Sequence, residues 1–233
     1  MIPGTAADTL RRGRIEVHGR IAGSSNLTLL VTCRCDEAEC LAVYKPLAGE
    51  RELWDFPPGL HRREAAARAL SDWLGWGIVP DTVLREDAPF GEGSLQRLVD
   101  TDGVSHYFTL RDDPSYHREL RRIAAFDVLA NNADRKSGHV LLAEGRLWAI
   151  DHGLTFHHEP KLRTVIWDFA GERLDDTVSD AIARIVDEPI PRELQGLLNA
   201  EETDALVRRA HALLSAGTLP PPGPGRPYPW PLV

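Results

Sequence analysis

Residues 127–153 read Asp127-Val-Leu-Ala-Asn-Asn-Ala-Asp134-Arg135-Lys136-Ser-Gly-His139-Val-Leu-Leu-Ala-Glu144-Gly145-Arg-Leu-Trp-Ala-Ile-Asp151-His152-Gly153. Just upstream, Leu120, Ile123, Ala124 and Val128 recur at helical spacing, and the remaining position on that face is Asp127, a carboxylate where an apolar residue is expected. A polar loop follows over residues 131–138. Two short β-prone runs, 139–143 and 147–150, are turned at Glu144-Gly145, so they read as a hairpin. A hairpin returns the chain to where it began. Asp134 and Asp151, 17 positions apart, are therefore expected close together in space. Two carboxylates facing one cleft suit metal-assisted group transfer, one binding the cation and the other accepting a proton from an attacking hydroxyl.

Outward from this stretch toward the N-terminus the chain reads as strands with one helix. Residues 14–21 and 27–33 are β-prone and flank Ala22-Gly23-Ser24-Ser25-Asn26, a tight-turn composition, so they form a predicted hairpin. Residues 41–44 make a further strand that ends in Lys45-Pro46. Residues 62–74 carry Ala66, Leu70, Trp73 and Leu74 on one stripe, an amphipathic helix stopped by Gly75. Runs at 79–84 and 95–99 complete a small sheet. Toward the C-terminus, two or three helices follow Gly171, the last N-capped by Asn199 with Glu202 three positions on. Seven prolines between 219 and 231 exclude helix there and predict an extended tail.

Bulk composition narrows the function. With 27 Lys+Arg against 35 Asp+Glu, the net charge of −8 weighs against nucleic acid and anionic membrane surfaces, which are met by basic patches. The 233 residues suffice for one large domain or two small lobes around a cleft. No charge-free stretch spans a bilayer, and the start of the chain lacks the basic and apolar regions of a secretory signal, which predicts a cytoplasmic protein. Cys33, Cys35 and Cys40 are too local and too few for a disulfide framework. With His18 they form a weak candidate zinc set, against the plainer reading of reduced thiols around a hairpin.

The N-terminal half supplies parts that complement the two carboxylates. A turn of small polar residues, Ser24, Ser25 and Asn26, can lay backbone N–H groups over phosphates. Lys45 can reach phosphate oxygens, and Glu64, in the first turn of the next helix, can pair with it. Each feature alone has an ordinary explanation as a turn, a solvated lysine or a dipole-facing glutamate. Their order, turn, Lys, Glu, Asp loop, hairpin, Asp, is that of a protein-kinase-like fold.

The segments 127–135 and 149–156, with Ala42-Val-Tyr-Lys45-Pro46, Arg63-Glu64-Ala-Ala66 and Gly93-Ser-Leu-Gln96-Arg-Leu98-Val99, resemble the phosphatidylinositol 3- and 4-kinase-like superfamily. The likeness is greatest to the type II phosphatidylinositol 4-kinases and extends to small actinobacterial proteins described as phosphatidylinositol-kinase-like. It covers roughly residues 14–160. The fold it implies is α+β and two-lobed, with a β-rich N-lobe over residues 1–94, a hinge at 95–99, a mainly helical C-lobe carrying the catalytic hairpin at 100–218, and a Pro-rich tail at 219–233.

Residue by residue, the resemblance implies that Lys45 contacts the α- and β-phosphates of ATP with Glu64 as partner, and that Ser24, Ser25 and Asn26 cover the phosphates. Gln96, Leu98 and Val99 present backbone to adenine. Asp134 is the catalytic base or hydroxyl-orienting residue, with Arg135 and Lys136 beside it. Asp151 is the principal metal ligand, and Asp127 is structural. One position departs from the family pattern: five residues after Asp134, where an Asn is the second metal ligand, this chain has His139. Imidazole suits Mn²⁺ better than Mg²⁺. The substitution therefore implies a Mn²⁺ preference, a single ion at Asp151, or loss of activity.

The expected function is ATP-dependent phosphoryl transfer with Mg²⁺ or Mn²⁺. The acidic balance of the segment after Asp151 favours a soluble protein hydroxyl or small molecule as acceptor over a phosphoinositide. Two other readings stay open: a nucleotide-binding pseudokinase scaffold whose Pro-rich tail recruits a protein partner, and a metal-dependent phosphohydrolase using Asp134, His139, Asp151 and His152.

Overall fold

The computed structural model describes residues 5–233. It opens with a helix absent from the sequence expectation, α1 (Ala6–Arg12), capped by the Thr5 side chain. Short, polar and without an apolar stripe, α1 buries little beyond Thr9 and Leu10 and so left no periodic signal. Three antiparallel strands follow, β1 (Arg14–Arg20), β2 (Leu29–Cys35) and β3 (Ala38–Pro46). Helix α2 (Leu60–Trp73) precedes β4 (Thr82–Arg85) and β5 (Gly93–Arg97), and the sheet order is β1-β2-β3-β5-β4.

Strand β5 thus lies inside the sheet, paired to β3 on one edge and β4 on the other. Gly93 is required where it crosses β3: a Cβ there would lie 2.5 Å from the Lys45 carbonyl oxygen. Cys33 and Cys40 face each other across the β2–β3 ladder as free thiols, and His18 bonds Thr32 at 2.6 Å. Among the described residues no cluster of three potential metal ligands occurs, so these side chains do not assemble the candidate zinc set.

Beyond the sheet come α3 (Tyr107–Leu110), α4 (His117–Ala130), the hairpin of β6 (Val140–Ala143) and β7 (Arg146–Ala149), then α5 (Asp176–Asp187), α6 (Arg192–Leu197) and α7 (Ala200–Ala216). Glu144 and Gly145, both at positive φ, turn the hairpin as the sequence predicts. Asn199 and Glu202 form the expected reciprocal cap on α7. Two larger cores result, beside two small clusters. The lesser core lies under the sheet around Leu29, Val31, Tyr44 and Leu95; the greater gathers α4, α5 and α7 around Leu120, Phe126, Ile182 and Leu206. The apolar stripe of α2 joins the larger core through Ala66, Leu70 and Leu74, so this helix is anchored to the helical half although it is threaded between strands of the sheet. No helix among the described residues is long and apolar enough to cross a membrane.

Candidate active site

Lys45 sits near the end of β3 with its ammonium between two carboxylates. It donates to Glu64 on α2 and, at 2.8 Å, to Asp151 just past β7, 106 positions away. Glu64 is buried, and its second oxygen accepts the His152 amide at 2.9 Å, so one glutamate ties α2 both to the sheet and to the turn after the hairpin. Asp151 itself has φ of 58°, in the left-handed region that aspartate enters more readily than most side chains. Desolvation works against ionisation of Asp151, but the Lys45 ammonium outweighs it and holds the carboxyl far below the usual range. Lys45 is the mirror case: desolvation opposes its charge, and Asp151 and Glu64 raise its pKa above the ordinary lysine value.

Asp134 lies on the loop between α4 and β6, with its amide accepted by the Asn132 side chain at 2.9 Å and its carboxylate 3.3 Å from the Lys136 ammonium. Desolvation first, and the nearby negative charge of Asp151 as well, push Asp134 up to about 6 despite the opposing pull of Lys136. A carboxyl tuned toward neutrality is suited to taking a proton. His139 Nε2 lies 3.3 Å from Asp151 Oδ2, and burial holds the ring neutral with a pKa lowered to about 4. Its Nδ1 accepts the Lys136 amide at 3.4 Å, which leaves the ring proton on Nε2, facing Asp151.

The structure therefore brings together Lys45, Glu64, Asp134, Lys136, His139 and Asp151. Other expected residues lie elsewhere. Arg135 is fully buried and points away from the cleft: its guanidinium grips Asp127 and also donates to the His139 and Ile150 carbonyls and to His152 Nε2. All of its donors are engaged inside, none toward the cleft, so the expectation of a catalytic Arg135 is corrected to a structural one. The same bond turns His152 inward, which removes it from the ligand set of the phosphohydrolase reading.

Gln96 is also displaced from the adenine-facing role, and Leu98 keeps only its carbonyl for it. Gln96 lies within β5 with its side chain buried against Thr82, and the Leu98 amide is spent on the Leu41 carbonyl. Val99, the first of the three beyond these bonds, packs against Ala143 and Trp148 of the hairpin. The turn of Ser24, Ser25 and Asn26 folds onto the segment after β3: the Asn26 side chain accepts the Arg51 amide, and the Ser24 carbonyl accepts from Arg20.

Two asparagines outside the expected site residues organise the Asp134 loop. Asn131 ends α4 in the left-handed conformation, donates to the His157 and Glu159 carbonyls and accepts the Lys161 amide. Asn132 joins Asp127 to Asp134. An Asn pair directly after a helix was the available signal, since Asn is favoured at a left-handed C-terminal position.

No protein-family model matches the chain. It is 40% identical over 260 aligned positions to Protein Rv2133c of Mycobacterium tuberculosis, with 95% of this chain and 93% of that protein covered. Among solved structures, a Golgi casein kinase superposes over 90% of this chain and 72% of its own with a TM-score of 0.61 at 15% identity. The Golgi casein kinase with Mn/ADP bound gives 0.58 at 14% identity, over 90% of this chain and 74% of its own. The Helicobacter pylori proinflammatory kinase CtkA gives 0.52 at 12% identity, over 90% and 94%. These likenesses show a two-lobed, kinase-like fold.

Proposed function

From a chain that belongs to the family of Protein Rv2133c and folds like a kinase, we propose an ATP-dependent phosphotransferase that moves the γ-phosphoryl group to a hydroxyl of a soluble protein or small molecule. The observation that carries this reading is Lys45 held between Glu64 and Asp151, with Asp134 on the adjoining loop. Lys45 orients the α- and β-phosphates, and Glu64 fixes Lys45 through one carboxylate oxygen and the Asp151 turn through the other. Asp134, poised near neutrality, accepts the proton of the attacking hydroxyl as the oxygen bonds to phosphorus and ADP leaves. The pairing of Lys136 with Asp134 places a cation beside that reaction coordinate.

Asp151 and His139 supply two donors for a divalent cation, and among the described residues no third potential ligand completes a cluster with them. Asp151 offers carboxylate oxygens beside His139, and Mn²⁺ accepts a mixed oxygen and nitrogen shell more readily than Mg²⁺. Ligation by His139 would move its ring proton from Nε2 to Nδ1 at the loss of one long hydrogen bond. When bound, such an ion would neutralise charge on the phosphates. Adenine would be met by the segment from the Leu98 carbonyl onward, since residues 95–97 are paired within β5 and the Leu98 amide is taken by Leu41. The motif likeness to phosphatidylinositol kinases stays part of the proposal at the level of the phosphate and metal machinery, whereas the acidic chain argues for a soluble acceptor.

The test is transfer of radiolabel from γ-³²P-labelled ATP to protein or to water with Mg²⁺ or Mn²⁺. Turnover that disappears in Asp134→Asn is the expected result. ATP binding with no turnover under either metal would instead make the chain a nucleotide-binding scaffold.

A further inference from the structure

The Pro-rich tail lies along the helical half in a continuous path. The Leu174 amide bonds the Gly217 carbonyl, the Leu219 amide bonds the Glu172 carbonyl, and the Gly171 amide bonds the Leu219 carbonyl. Further on, the Pro227 carbonyl accepts both the Thr164 amide at 3.0 Å and the Trp167 indole at 3.2 Å. The Leu232 carbonyl accepts the Ser137 amide at 2.9 Å. Leu219 and Pro229 are buried, and Leu232 packs against the large core.

These anchor points bracket the catalytic loop. Residues 163–165 run alongside it: the Arg135 amide bonds the Arg163 carbonyl, the Arg163 amide bonds the Asn132 carbonyl, and the Val165 amide bonds the Arg135 carbonyl. Thr164, between them, presents its hydroxyl to Asp127 and its amide to the tail. The tail therefore holds the loop at two places, directly through Ser137 and through Thr164 one layer away. Its composition suits this role. Prolines lack N–H groups, so the tail offers carbonyls and leaves few donors unsatisfied, and their fixed φ lowers the entropy lost on docking.

We propose that residues 227–232 form a strap that positions the catalytic loop, with Pro227 and Leu232 acting on Asp134 through Thr164 and Ser137. The inference rests on the phosphotransfer reading above for its kinetic consequence, but its structural half is measurable without turnover. The strap residues touch no reacting atom; they set the position of the loop that does.

The full-length variant Leu232→Asp places a charge where the strap packs on the core, and Trp167→Phe removes one donor to Pro227 without adding charge. The expected result has two parts. Amide hydrogen exchange at Ser137 and Thr164 accelerates, and exchange at Asp134 accelerates with it. Turnover falls at least tenfold with the KM for ATP within twofold, while Leu232→Met restores both readouts. Acceleration at Ser137 and Thr164 with Asp134 and turnover unchanged would overturn the proposal, as would unchanged exchange at all three. Should Leu232→Asp lose its cooperative melt, the same readouts on Trp167→Phe decide. A wild-type protein with no turnover sinks the phosphotransfer reading alone; the exchange of Asp134 in the variants still decides the strap.

Discussion

Arg135 clamps Asp127 in a fork: Nε lies 3.1 and 3.0 Å from the two carboxylate oxygens and Nη2 is 2.9 Å from one of them, with both side chains fully buried. Removing one partner of such a pair leaves the other charged and desolvated. Asp127→Ala is therefore expected to cost about 3–5 kcal/mol of stability. Urea unfolding checks it. Arg135→Lys should recover little, because an ammonium cannot fork.

Lys45→Met removes the cation shared by Glu64 and Asp151. ATP-dependent thermal stabilisation is expected to vanish, with nucleotide affinity weakened at least tenfold in calorimetry. Glu64→Gln keeps a hydrogen-bond acceptor for the His152 amide but loses charge, and should fall between Lys45→Met and wild type.

The raised pKa of Asp134 gives a signed pH dependence. Turnover should rise with pH through about 6, as the carboxyl loses its proton. Because the folded chain holds that proton more tightly than the unfolded chain, ionised Asp134 costs stability, and stability falls as pH rises from its unfolded value through its folded one. Asp134→Asn should abolish turnover, raise the melting temperature at pH 8 and leave it unchanged below about pH 4, near the unfolded carboxylate pKa.

Substituting the imidazole beside Asp151 by an oxygen donor tests the metal assignment. His139→Asn is expected to shift the ratio of Mn²⁺- to Mg²⁺-supported turnover toward Mg²⁺. Equal ratios in the two proteins would show that His139 is not a ligand.

A second titrating centre lies at the start of α2. His61 is buried between Glu50, which takes its Nδ1 at 2.8 Å and also the Gly59 amide, and Glu92, 3.1 Å from Nε2. Desolvation works against the charged ring, yet the two glutamates prevail and raise its pKa. The charged ring then contributes stability that is present below the unfolded histidine value and lost as pH rises through the folded one. Melting curves of wild type should decline over that window, and those of His61→Gln should be flatter.

How much was legible follows the physics of each element. Helix α4, its misplaced Asp127, the Asp134 loop and the β6–β7 hairpin were readable because periodicity, turn residues and spacing are local signals. The inward turn of Arg135 is not legible, because a charge beside Asp134 gives no sign of the direction it faces; that is set by Asp127 eight positions away. Gln96 reads as part of a hinge since strand and hinge share one extended backbone, and only its pairing on both edges shows β5 to lie inside the sheet. Docking of the tail rests on backbone carbonyls, which every residue has, and the sequence cannot signal it. The bond between Glu64 and the His152 amide was hidden for the same reason.

Asp134 and Arg135 are neighbours in the chain with opposite surroundings, one at the cleft and one sealed inside against Asp127. The loop is consequently constrained in length as well as in composition. Substitutions at its outward positions change chemistry one group at a time, whereas a one-residue insertion or deletion between 127 and 134 would exchange inside for outside, burying the carboxylate and exposing the guanidinium together. In a mutational library, this segment should accept substitution only outside the Asp127, Asn131, Asn132, Asp134 and Arg135 positions, and should accept no change in count.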